Sequence, residues 1–100
     1  MSIYPGDYKA AKNISHSIGV KSSHSDTYYL EKVEDGLRHA FENFKPDFVI
    51  YNAGTDCMAG DPLGALRITP RGIISRDELV FRYCLEETQT PVVMILSGGY

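Results

Sequence analysis

Apolar positions along the chain follow two periods, and each predicts its own kind of element. Leu30, Val33, Leu37, Ala40, Phe41 and Phe44 recur at intervals of three and four, while Glu31, Lys32, Glu34, Asp35, Arg38 and Glu42 fill the opposite face. That spacing predicts an amphipathic helix. Ser25 or Asp26 can cap its free N–H groups, and Pro46 disfavours helical geometry at the residue before it, so the helix stops before Lys45. From Asn13 to Val20, apolar residues alternate with small or polar ones, the period of a half-buried strand. Phe48 to Tyr51 is an unbroken apolar run, as expected for a strand covered on both faces. Ser75 with Glu78 fits a capping box opening a second helix, with Leu79, Val80, Tyr83 and Cys84 at its apolar positions. Thr90-Pro91 breaks that helix near Glu87 to Gln89, and Val92 to Leu96, the most apolar run, reads as a central strand.

Strand, helix, strand, helix, strand is the order of a parallel α/β sheet. Three strands and two helices make only part of one, because runs such as Val92 to Leu96 need covering layers on both faces. Residues 1–100 therefore read as a single partial domain, or as a chain that needs a partner. Between the second strand and the second helix, Ala53 to Thr69 carries Gly54, Gly60, Pro62 and Gly64 and reads as a long loop. Long loops in compact domains are usually functional.

Composition narrows the class without changing the fold. With 43% hydrophobic and 23% charged residues the chain is of ordinary globular type, and a formal net charge of -3 without a Lys/Arg run argues against direct nucleic-acid binding. No apolar stretch reaches the roughly 20 residues of a membrane span, and the amino terminus lacks a basic and apolar leader. An intracellular location, nuclear or cytoplasmic, is the expectation. Cys57 and Cys84 form no CxxC pair and read as reduced thiols with no assigned chemistry.

Candidate chemistry lies where the strands end. In open parallel sheets, ligands bind in the crevice at the carboxyl ends of the strands. Asp56 follows one predicted strand within Asn52-Ala53-Gly54-Thr55-Asp56, and Tyr100 follows another within Ser97-Gly98-Gly99-Tyr100. A carboxylate and a phenol in one crevice are compatible with metal binding, general acid chemistry or simple polar plugging. Asp56 can supply a hard oxygen ligand, and the glycines let the backbone pass close by. Tyr100 stays protonated at neutral pH and can donate to a developing oxyanion. His16, His24 and His39 have no carboxylate at metalloprotease spacing, and read as strand, loop and exposed helix residues respectively.

Together, Tyr4-Pro5-Gly6-Asp7, Asn52 to Asp56, Gly60-Asp61-Pro62-Leu63-Gly64, Arg76-Asp77-Glu78-Leu79-Val80-Phe81-Arg82 and Ser97 to Tyr100 closely resemble the carboxyl-proximal part of the histone deacetylase family, in its class IV branch. The resemblance runs from Ile3 to Tyr100 and implies an open three-layer α/β/α fold of the arginase/deacetylase type. It also implies a zinc-dependent deacetylase or deacylase that hydrolyses acyl-lysine in histone or other proteins. By the same resemblance Asp56 matches a zinc ligand and Tyr100 the tyrosine that polarises the acyl carbonyl. Tyr4 and Leu63 match residues lining the acyl-lysine tunnel, and Gly98 and Gly99 the turn before the tyrosine.

The departures set a further expectation. The family's Asp-x-His metal pair, its catalytic His pair and its glycine-rich tunnel wall lie upstream of Tyr4 and are absent from this chain. The 100-residue chain is thus expected to bind zinc poorly and to lack activity by itself, the more so because the α-carboxylate on Tyr100 opposes an oxyanion role. The alternatives are a non-catalytic truncated family product acting by association, and an α/β phosphate-binding module. The latter has neither GxGxxG nor a Walker lysine to support it.

Overall fold

The computed structural model describes residues 14–20, 25–59 and 67–99. In chain order they form helix α1 (Asp26–Asn43), strand β1 (Val49–Asn52), helix α2 (Pro70–Arg82) running into a π-helical turn (Tyr83–Glu87), and strand β2 (Val92–Ile95). β1 and β2 pair in parallel, with Val49 opposite Val92 and Asn52 opposite Ile95. Two helices and a two-stranded parallel sheet thus give an α/β unit in which α2 is the crossover.

Helix α1 forms where the periodicity placed it. The Ser25 side chain accepts from Tyr28 N–H at 3.3 Å, and at the other end Phe44 turns extended, two residues ahead of Pro46. Asp26 does not cap; it accepts from the Thr69 N–H at 3.0 Å and from the Thr69 hydroxyl, tying the start of α1 to the start of α2.

Helix α2 begins earlier than the Ser75–Glu78 capping box predicted. Its N-cap is Thr69, whose Oγ1 accepts from Gly72 N–H at 3.1 Å, and Pro70 occupies the first helical position. Proline suits that position, because its missing N–H would be unpaired there anyway. The end of the helix agrees with expectation. The Thr88 hydroxyl donates toward the Tyr83 and Cys84 carbonyls, and Thr90 N–H donates to Cys84 O at 2.6 Å ahead of Pro91.

The core sits between α2 and the strand exits: Ala53, Ile68, Ile73, Val80 and Cys84 are buried, with Arg76 and Thr90 among them. One expectation fails. Residues 14–20 take no strand pairing, so the third strand is absent there; they run beside α1 instead, with His16 stacked on His39 at 3.9 Å. An alternating pattern makes a strand only when a partner offers its backbone. The strands are covered on one face. Tyr51 packs edge-on against Phe81 of α2, whereas Ile50, Val93 and Ile95 on the other face are exposed. Among the described residues no helix is long and apolar enough to cross a membrane.

Candidate active site at the strand exits

The two strand exits are joined by backbone hydrogen bonds that continue past the sheet. Ala53 N–H donates to Ile95 O at 2.8 Å, and Thr55 N–H donates to Gly98 O at 2.6 Å. This draws Asp56 beside Gly98 and Gly99. The approach is close: a Cβ on Gly98 would lie 2.6 Å from Asp56 Cγ and force a shift, and one on Gly54 would sit tightly, 3.2 Å from Asp56 Oδ1. Beyond Cys57 the loop returns through a short parallel bridge between Met58 and Ile68, with Ala59 N–H donating to Ile68 O at 2.7 Å.

Behind this loop lies a guanidinium. Arg76 is 5% exposed. Its Nη1 donates to Gly54 O at 2.7 Å, while Nε and Nη2 donate to Asp77 Oδ1 at 3.1 and 3.0 Å. The Tyr51 hydroxyl donates to the same Asp77 oxygen at 2.5 Å, and the Tyr51 ring lies 5.6 Å from the guanidinium carbon. Nη1 also approaches the Tyr29 hydroxyl at 3.4 Å and Cys57 Sγ at 3.5 Å. Burial alone would lower the Arg76 pKa, but Tyr29, Asp77 and Tyr51 outweigh it and hold the pKa above the ordinary arginine value. Burial, then the bond to Asp77, pushes the Tyr51 phenol well above its usual range. Burial raises Tyr29 in the same sense, against the opposing pull of Arg76.

Of the residues singled out from sequence, Asp56, Gly98 and Gly99 come together here. Tyr4, Leu63 and Tyr100 lie outside the described residues, as does His24. Among the described residues no group of three His, Cys, Asp or Glu side chains could hold a metal ion. Asp56 is one oxygen donor, and a catalytic zinc takes three protein ligands, so these residues do not form a zinc site by themselves. An open groove of about 520 Å³ runs between residues 14–20 and α1, lined in part by His16, Ile18, Lys32 and Val33. Its lining includes neither Asp56 nor the glycine turn, so it is separate from the strand exits.

Sequence reasoning assigned Arg76 no role of its own. The signal was present: Ile73, Arg76 and Val80 are spaced three and four apart, which puts a cation in the buried stripe of α2. A charge there must have partners, and Asp77 is adjacent.

A two-stranded parallel sheet with a crossover helix, and with a carboxylate and a glycine turn at its neighbouring strand exits, defines an α/β protein. Comparison with known proteins makes this specific. The histone deacetylase domain profile matches residues 2–100. "Histone deacetylase 2" of Arabidopsis thaliana is 51% identical over 98 residues, which is 98% of this chain and 25% of the relative. "Histone deacetylase 8" of Xenopus tropicalis is 29% identical over 86 residues, 86% of this chain and 22% of the relative. The chain belongs to the histone deacetylase family, and it spans about a quarter of the length of these two relatives.

Proposed function

We propose that this chain is the carboxyl-proximal part of the catalytic domain of a zinc-dependent protein lysine deacetylase or deacylase, with Asp56 and Tyr100 in its active site. One observation carries the reading: the Thr55–Gly98 backbone bond seats the Asp56 carboxylate against the glycine turn that leads directly into Tyr100. Asp56 serves as one metal ligand. Tyr100 donates a hydrogen bond to the oxyanion that develops on the acyl carbonyl. Tyr4 and Leu63 line the acyl-lysine tunnel, and Gly98 and Gly99 shape its inner end. The other metal ligands and the proton-handling histidines come from the part of the domain that precedes this segment. The substrate is an acyl-lysine side chain of a histone or another protein, met in the nucleus or the cytoplasm.

The open apolar sheet face supports membership in a larger three-layer α/β/α domain, since such a face needs a covering layer. Assignment to the class IV branch rests on the combined resemblance of Tyr4 to Asp7, Asn52 to Asp56, Gly60 to Gly64, Arg76 to Arg82 and Ser97 to Tyr100.

The test is a chimera in which this chain replaces the matching 98-residue segment of the Arabidopsis relative. Hydrolysis of an acetyl-lysine peptide is expected. Tyr100→Phe should lower kcat by about 100- to 1,000-fold, the usual loss of one oxyanion donor. Asp56→Asn should abolish activity together with metal content. A folded chimera that is inactive, or whose activity survives Asp56→Asn, overturns the reading and favours a family product that acts only by association.

A further inference from the structure

Resting on the reading of Asp56 as an active-site carboxylate, the geometry points to Arg76 as a positioning residue that holds the Gly54–Thr55 peptide and thereby aims that carboxylate. The peptide is gripped at both ends. Its carbonyl, on Gly54, accepts from Arg76 Nη1 at 2.7 Å; its N–H, on Thr55, donates to Gly98 O at 2.6 Å. Asp56 follows directly. Without the grip on the carbonyl, the plane can turn about Gly54, whose backbone has no Cβ to restrain it.

The guanidinium is itself braced for this task. Asp77 takes the Nε and Nη2 hydrogens, Tyr51 fixes Asp77, and Nη1 is left pointing at the loop. A planar fork can serve a carboxylate along one edge and a carbonyl at another corner; a lysine ammonium on a flexible stem cannot hold both in that geometry. Arg76 is also nearly buried, so its bond to Gly54 O faces little competition from water. Arg76 therefore acts through the loop backbone and not on substrate.

The chimera described above tests this with Arg76→Lys, Arg76→Met and the exposed control Arg82→Gln, whose parent side chain pairs with Glu78 at 2.8 Å. Arg76→Lys should fold, keep KM, and lose about 10- to 100-fold in kcat, as supporting-residue changes do. Exchange of the Thr55 amide should quicken by about 10-fold as the loop opens locally. Arg82→Gln should match the parent in both. Parent-like kcat in a folded Arg76→Lys chimera overturns the proposal. So does a loss of kcat matched by an equal loss of folded protein, or failure of both Arg76 variants to fold, because Arg76 is then a stability residue alone. Asp56→Asn separates the two readings: if it stays active, the active-site assignment fails; if it is dead while Arg76→Lys is fully active, only the role of Arg76 fails.

Discussion

At the scale of single residues, close packing around Asp56 leaves no room for a side chain at Gly98. A methyl group there would overlap the carboxylate. Gly98→Ala should therefore displace Asp56, costing about 1–3 kcal/mol as overpacking does, and should reduce chimera turnover. Urea unfolding and peptide hydrolysis check the two effects. Tyr51 yields a second expectation. Burial and the bond to Asp77 raise its folded pKa above the ordinary phenol value, so above about pH 10 the unfolded chain loses this proton while the folded one keeps it. Stability is thus fully present below the unfolded value and falls as pH rises past it. Urea midpoints of the chimera between pH 8 and 11 should decline, and Tyr51→Phe should flatten that decline while weakening the fold at neutral pH, where it removes the bond to Asp77. An equal alkaline slope in both proteins would sink the assignment. The nearness of Asp56 to the glycine turn was legible in sequence, because both follow apolar runs that pair in parallel. The spacing of Ile73, Arg76 and Val80 carried the burial of Arg76, but its bonds to Gly54 and Tyr29 join residues 22 and 47 positions away and follow from no local pattern.

Among elements, the two strands and α1 were readable because period and breakers agreed, whereas the start of α2 was not. Ser75 and Glu78 satisfy the capping pattern, yet Thr69 stands about 1.7 turns earlier and caps the helix itself. Pro70 is a first-turn residue, and Gly72 marks a crossing of the two helices. A Cβ on Gly72 would lie 2.7 Å from Asp26 Cγ and from Ile68 Cγ2, so glycine is what lets α1 and α2 meet. The two candidate caps predict different outcomes. Thr69→Ala removes the acceptor for Gly72 N–H and the hydroxyl bond to Asp26, and should cost about 1–2 kcal/mol. Ser75→Ala lies within the helix and should stay within about 0.5 kcal/mol. Thermal unfolding followed by circular dichroism ranks them; equal losses would return the cap to Ser75. The predicted first strand failed for a different reason. Ile18 lies against Gly36 of α1 and His16 against His39, so the segment's apolar residues found a helix surface and no strand edge.

For the whole molecule, the decisive feature is the sheet face turned away from α2. Ile50 is 61% exposed and Val93 54%, and they sit opposite one another in the register, with Ile95 and Phe48 exposed nearby. Burying one such side chain completely is worth about 1.5–3 kcal/mol. Three or four of them left in water forgo an amount comparable with the roughly 5–15 kcal/mol that holds a domain folded. The 100-residue chain alone should accordingly bind a hydrophobic dye such as anilinonaphthalene sulfonate strongly and self-associate as concentration rises. Ile50→Thr with Val93→Thr should reduce both effects while leaving the Tyr51 face and its contacts with α2 in place. In the chimera, where the proposed covering layer is present, the dye signal should be absent and the same double substitution should destabilise instead, since it then removes buried methyl groups. The reversal of sign between the two settings is what distinguishes a face that belongs under another layer from one that is simply apolar. A dye-silent, monomeric 100-residue chain would show that the face is satisfied as it stands, and would remove the packing argument for a larger domain.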